Sequence, residues 1–246
     1  MRASFAVAKR VGNQLRRDPR TLALIFVLPA VLMSLLYWIL SNTGLFDRIA
    51  HAVLGVFPFL VMFLVASVTT LRERSSGTLE RALTMPVRRI DIIGGYTLTF
   101  SLVAVAQTLI TVVVCTRLLD LDIEGSLAAF VGVALLSALT GTTAGLLASA
   151  FAHTEFQVMQ FVPAVIVPQF LLCGVIMPRE EMPHALELLS HTMPISYVVD
   201  AMLALSKAPT PSAFPKGDLV TDIAILSGFC AAFVALGAVS LRRKTP

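Results

Sequence analysis

Apolar residues fall in long uninterrupted blocks along this chain. Six stretches of 19 or more residues contain no Asp, Glu, Lys or Arg: Thr21–Phe46, Ile49–Leu71, Ile92–Thr116, Gly125–Ala152, Phe156–Pro178 and Ile223–Leu241. A bilayer core needs roughly 20 apolar residues per helix. Backbone groups in lipid must also be satisfied within the segment. The pattern therefore predicts an all-α, polytopic membrane protein with six transmembrane helices at about 21–40, 50–71, 93–116, 127–150, 159–177 and 221–241.

Two shorter patterns flank these spans. Residues 3–18 place Val7, Val11 and Leu15 on one helical stripe, with Lys9, Arg10, Arg16 and Arg17 free to face headgroups or a partner; Pro19 ends the run. The external segment 178–219 contains a second helical pattern over Met182–Ser206, carried by Leu186, Leu189, Val198, Met202 and Leu205 and interrupted by Pro194. Those helices are too short to span and are expected to lie at, or dip into, the outer leaflet. Lys207–Gly217 reads as a surface loop. The domain organisation expected is an interfacial helix over 1–20 and one transmembrane domain over 21–246.

Helix breakers mark candidate functional spans. Pro29 and Pro58 are expected kinks in spans 1 and 2. Span 5 holds Pro163, Pro168 and Gly174, so it is bent or broken, and such breaks are tolerated only against protein or a water-filled cavity. This makes span 5 the candidate border of a transport path. Gln169, polar near mid-span, either lines that path or hydrogen-bonds a neighbouring helix; Gln107 in span 3 raises the same alternatives. In span 4, Ser137, Gly141, Gly145 and Ser149 recur every fourth residue. This small-residue ridge permits close helix approach, either within the chain or at a dimer seam.

Composition and charge sharpen the class. Of 246 residues, 57% are hydrophobic and 14% charged, against about 25% charged in soluble domains. The mean hydropathy of +0.84 agrees. A water-soluble globular enzyme and a disordered chain are excluded. Arg2, Lys9, Arg10, Arg16, Arg17, Arg20, Arg72, Arg74, Arg81, Arg88, Arg89, Arg242, Arg243 and Lys244 all fall on one side of the six-span topology. Only Arg48, Arg117, Arg179, Lys207 and Lys216 fall on the other. The positive-inside rule puts the first group, with both termini, in the cytoplasm. The Arg16-Arg17 pair precedes a run too long for a signal h-region, so no cleavage is expected.

Chemistry-bearing residues are sparse. Cys115, Cys173 and Cys230 match no metal spacing and read as small buried hydrophobes. His184, Glu187 and His191 share one helical face with zinc-compatible spacing, but they match no metalloprotease motif, and a solvated polar face is favoured. No metal site and no catalytic residue are expected. There is no Gly-Lys dipeptide, so a Walker A loop is excluded, and the uncharged spans offer no proton relay. If this chain transports, a partner must drive it.

The stretch 72–91 is where such a partner would dock. Gly77 breaks the span 2 helix, Thr78 can cap a short helix, Glu80 sits favourably in its first turn, and Pro86 ends it. Leu79, Ala82 and Leu83 form an apolar knob, flanked by Arg72, Glu73 and Arg74. A membrane-surface helix on headgroups is the alternative.

These residues carry a resemblance. Glu73, Arg74, Gly77, Thr78, Leu79, Glu80, Leu83 and Pro86 form the pattern E-R-x-x-G-T-L-E-x-x-L-x-x-P. It resembles the permease subunits of type-2 ABC exporters, the group of daunorubicin/doxorubicin-resistance permeases and polysaccharide or lipid exporters. Gly174-Val-Ile-Met-Pro178, Met182-Pro183 and Pro194-Ile-Ser-Tyr197-Val-Val-Asp200 extend the likeness over nearly the whole chain. The resemblance implies a separate ABC ATPase subunit that binds ATP and magnesium, with no cofactor in this chain. It further implies a second permease subunit, as homodimer or heterodimer, and a coupling helix at about Thr78–Thr84. A substrate path between spans 2 and 5, residence in a bacterial inner membrane and export also follow from it. Its motifs mark coupling rather than cargo. Few aromatic or polar residues are available for sugar binding, which favours hydrophobic or amphipathic drugs, antibiotics or lipids; no nucleic acid partner is expected. A membrane-embedded lipid-modifying enzyme and a non-transporting assembly factor are the rival classes.

Overall fold

A computed structural model describes residues 2–41, 45–75, 89–121, 123, 126–206 and 217–242. Among them the chain is helical throughout: α1 (Arg2–Arg16), α2 (Pro19–Leu40), α3 (Phe46–Ser75), α4 (Arg89–Leu118) and α5 (Leu127–Phe151). The order continues with α6 (Glu155–Phe161), a π-helical turn (Val162–Ile166), α7 (Val167–Leu172), α8 (His184–Ser190), α9 (Pro194–Ser206) and α10 (Gly217–Arg242). Six segments among the described residues are long and apolar enough to cross a membrane: α2, most of α3 and α4, α5, the continuous run α6–α7, and most of α10. The all-α, six-span reading is thus met.

The spans begin and end where capping chemistry puts them. Asp18 caps α2: its carboxylate accepts from the Thr21 amide at 3.2 Å and the Thr21 hydroxyl at 2.7 Å. The Thr21 hydroxyl, more than any other contact, holds the Asp18 carboxyl below its usual pKa. Ser126 caps α5 and Thr154 caps α6. The fifth span runs from Glu155 to Leu172, earlier than expected, because Thr154 starts it and the chain turns off at Gly174. Its break is the π turn, which contains Pro163 and is followed by Pro168, neither of which donates an amide hydrogen bond.

The second span is the axis. Most of α3 is buried, whereas the first, fifth and sixth spans turn most of their surface outward. The α5 ridge lies along α3. Ser137 Oγ donates to the Gly55 carbonyl at 2.7 Å, and a side chain at Gly141 or Gly145 would collide with the backbone of Phe59 or Phe63. Of the two roles open to this ridge, the structure gives it packing within the chain.

At the end carrying the basic flanks, hereafter the basic end, Val11 and Leu15 of α1 join Ile25, Met62, Tyr96 and Phe100 in one apolar cluster. The Val7-Val11-Leu15 stripe therefore faces protein, and the Thr99 hydroxyl fastens α1 by donating to the Ala8 carbonyl at 2.9 Å. Toward the opposite, far end, a second cluster gathers Met33, Leu54, Val112, Phe130, Met202 and Leu226. The expected external helices are α8 and α9, bent by 89° at their junction. Val198, Met202 and Leu205 are buried, but Leu186 and Leu189 are exposed on α8. α9 inserts into the bundle against α3 and α5, while α8 leaves its leucines at the surface.

Candidate functional site

Three consecutive residues at the basic end of α3 reach different helices. Arg72 forks onto Glu155 at the start of α6, with Nε and Nη2 donating to its two carboxylate oxygens at 2.8 and 3.0 Å, and lies 3.8 Å from Asp18. Glu73 is buried, accepts from Arg10 Nη2 of α1 at 2.5 Å, and also accepts from the Tyr96 hydroxyl of α4. Arg74 Nη1 donates to the Ser149 carbonyl of α5 at 2.6 Å. That carbonyl lies in the last turn of α5, where a helix favours a cation.

The sequence dictates this fan. Successive residues on a helix point about 100° apart, so an uninterrupted Arg-Glu-Arg run aims its side chains at three neighbours. α3 continues as helix to Ser75, which keeps all three in register. Planar, two-pronged pairing needs arginine, and Arg72 on Glu155 uses it. The result is a clasp joining α1, α2, α4, α5 and α6 to the end of α3. Glu73, expected beside a docking surface, has its side chain turned into the protein. Gly77, Thr78, Leu79, Glu80, Leu83 and Pro86, the remainder of the expected docking stretch, lie outside the described residues.

The span 5 residues fall in two places. Pro168 and Gln169 line one apolar cleft, together with Phe59, Phe161, Phe229 and Phe233. Pro163 lies in the π turn and Gly174 in the bend after α7. Gln169 donates to the Val165 carbonyl of its own helix at 3.1 Å, so that bond does not link it to a neighbouring helix. Gln107 is fully buried on α4.

Gly174 has φ +93°, a backbone region that side-chain-bearing residues avoid. Its turn brings Arg179 onto α9, where the guanidinium pairs with Asp200 and sits 5.6 Å from the centre of the Tyr197 ring. Tyr197 in turn donates to the His191 carbonyl at 2.8 Å. Gly174→Val is expected to cost about 1–2 kcal/mol from backbone strain, read as a lower unfolding midpoint in detergent. An unchanged midpoint would mean that the bend relaxes freely.

His184 and Glu187 lie 3.5 Å apart, and the His184 side chain is almost fully exposed. Among the described residues no three His, Cys, Asp or Glu side chains gather as metal ligands.

Sequence reasoning missed Arg10, Tyr96, Ser149 and Glu155 as partners of the Arg-Glu-Arg run, and Arg179 as the partner of Asp200. The available signal was weak. A charge within a span's last turn needs an opposite charge nearby, but the sequence does not say which of several candidates folds against it.

The comparison with known proteins fits this architecture. The model of the ABC-2 type transporter family matches residues 2–205. The chain belongs to that family. The inner membrane transport permease YhhJ of Escherichia coli K12 is 28% identical over 155 residues, covering 63% of this chain and 41% of that protein. The Probable multidrug ABC transporter permease YbhR of the same organism is 28% identical over 152 residues, covering 62% and 41%. ABC transporter G family member 20 of Dictyostelium discoideum is 22% identical over 161 residues, 22% of its length. The matched stretch thus spans about two fifths of the E. coli relatives. With its six apolar helices and these relatives, the chain is a multi-pass protein of the inner membrane.

Proposed function

We propose that this chain is the permease subunit of an ATP-driven ABC exporter. ATP, with magnesium, is bound and hydrolysed by a separate ATPase subunit. Two permease chains and two ATPases make the working unit. Residues 72–91 receive the ATPase stroke on the cytoplasmic side, α1 lies at that membrane face, and the cargo is a hydrophobic or amphipathic compound. The whole of 21–246 acts as one transmembrane domain.

The observation that carries this reading is the clasp. A stroke delivered to the segment following Ser75 meets three adjacent side chains that contact five other helices or their caps. Such a junction converts a local push into concerted movement of several helices, because ion pairs and packed elements shift between discrete arrangements. The family match supports a role in transport, and the multidrug description of one relative supports a drug-like cargo.

The test uses inside-out vesicles from cells expressing this chain with its ATPase. Uptake of a hydrophobic fluorescent dye is expected to require both proteins and hydrolysable ATP. Equal uptake by the chain alone in proteoliposomes, without nucleotide, would overturn the proposal.

A further inference from the structure

A groove of about 380 Å³ runs between α1 and α4 at the basic end. Its α4 wall is apolar, formed by Leu98, Leu102 and Val103, and Leu102 is 64% exposed. Leu102 stands eight residues past Gly94, where the third span begins, so this wall reaches about 12 Å along the span. The α1 wall is of another kind. Phe5, Lys9, Gly12 and Arg16 recur at helical spacing on one face, joined by Asn13. Gly12 lies at the floor: a side-chain carbon there would stand 3.8 Å from the Thr99 methyl carbon, an ordinary contact.

α1 sorts its cations by face. The stripe of Val7, Val11 and Leu15 packs on protein, and Arg10 pairs inward with Glu73. Lys9 and Arg16 instead border the groove, both exposed. Among the described residues neither has an ion-pair or hydrogen-bond partner. Val11 is two residues past Lys9, about 200° around the helix, so the side turned away from the apolar cluster carries these charges. No acidic side chain borders the groove among the described residues. An amphipathic helix at a membrane usually buries its apolar face in lipid. Here that face is buried in protein, and Phe5 with two cations is left beside an apolar slot.

We propose that this groove binds one anionic phospholipid from the leaflet at the basic end. Lys9 and Arg16 hold its phosphate, Asn13 donates a further hydrogen bond, and an acyl chain follows Leu98 and Leu102 into the bilayer. Basic pockets beside membrane helices recognise anionic headgroups in this way. Lys9 and Arg16 are seven residues apart, about 10 Å along the axis, a gap that two long flexible side chains close on one phosphodiester. A zwitterionic lipid is disfavoured, because its ammonium finds no acidic partner. A soluble protein can cover the charges but cannot reach Leu102 within the span. That this leaflet is the cytoplasmic one rests on the exporter reading; the binding does not.

The test titrates the purified full chain, delipidated in detergent, with dioleoyl phosphatidylglycerol or dioleoyl phosphatidylcholine and counts bound lipid by native mass spectrometry. Phosphatidylglycerol is expected to bind about 10- to 30-fold tighter, the gain from two cations near a membrane surface. Equal binding to the unaltered chain would overturn the proposal without reference to any variant. Lys9→Gln with Arg16→Gln should cut the preference to about threefold or less. Arg17→Gln with Arg20→Gln removes the same charge outside the groove and should keep it. An equal loss in both pairs would reveal a response to net charge and overturn the site. Gly12→Leu keeps both cations but fills the floor, and should weaken phosphatidylglycerol about fivefold or more. Wild-type affinity in that variant would overturn the acyl path. Glycerol 3-phosphate at equal concentration should not displace the lipid; displacement would reduce the site to its charges and overturn it. A Lys9→Gln, Arg16→Gln chain that keeps its lipid preference but no longer retains its ATPase would make this face a protein-docking surface, against the proposal. If chain and ATPase together move no dye on ATP addition while the lipid preference of the pure chain persists, the exporter reading fails and the site stands.

Discussion

Glu73→Ala is expected to unfasten α1 and destabilise the chain by about 2–3 kcal/mol. Removing one member of a buried ion pair typically costs 3–5 kcal/mol, because the other charge is stranded. Here the Arg10 side chain is 37% exposed and can regain water, so the cost is placed below that range. Tyr96 loses its acceptor at the same time, in a setting where little water can replace it. The effect should be local: faster hydrogen exchange in residues 2–16, with the far end unchanged. A cycle of Glu73→Ala, Arg10→Ala and the double variant should give a coupling energy above about 1 kcal/mol. Additive single effects would show that the pair contributes nothing beyond its separate contacts. Under the proposed function, ATP hydrolysis should continue while transport falls, since the stroke would reach α3 without reaching α1 or α4.

Gly141→Leu carries the second large effect. A Cβ at Gly141 would overlap the backbone of Phe59, and one at Gly145 the backbone of Phe63. Backbone in the middle of a packed helix cannot yield as a flexible side chain can. The helices must separate, which also breaks the Ser137–Gly55 hydrogen bond. Overpacking a core usually costs 1–3 kcal/mol; this backbone collision is expected to exceed about 3 kcal/mol. The readout is loss of monodisperse protein from detergent extracts and of membrane-inserted protein in cells. Gly132→Ala on the same helix is the control: nothing lies within 4 Å of its added Cβ, so stability should hold or rise slightly. Wild-type behaviour of Gly141→Leu would contradict the α3–α5 packing.

The membrane spans were legible because the rule behind them is coarse. A bilayer demands long uncharged blocks, and the chain supplies them. The ridge of Ser137, Gly141 and Gly145 was legible as a place of close approach, but not its partner. Small residues announce proximity without direction, and Gly55 and Phe59 carry no complementary mark. The break in span 5 was read from Pro163 and Pro168, yet its ends were misplaced. Thr154 is a good cap in a stretch whose hydrophobicity had already begun to rise, and only the positive φ of Gly174 reveals where the helix stops. α9 was harder still. It is too short to span, and its burial depends on Ile195, Val198 and Met202 meeting α3, a long-range fact. The clasp was half legible: Arg72, Glu73 and Arg74 stood out by charge, but their partners are scattered from Arg10 to Glu155. Ion pairing across such distances leaves no periodic trace.

The close contact between α3 and α5 also bears on how such a chain can drift over generations. Where backbone meets backbone, only glycine, and to a lesser degree alanine or serine, satisfies the geometry. The outward faces of α2 and α10 meet a fluid apolar solvent that scarcely distinguishes leucine from isoleucine, valine or phenylalanine. Divergence should therefore be lopsided: frozen along one narrow seam, nearly free around the rim, with the architecture outlasting most of its own letters.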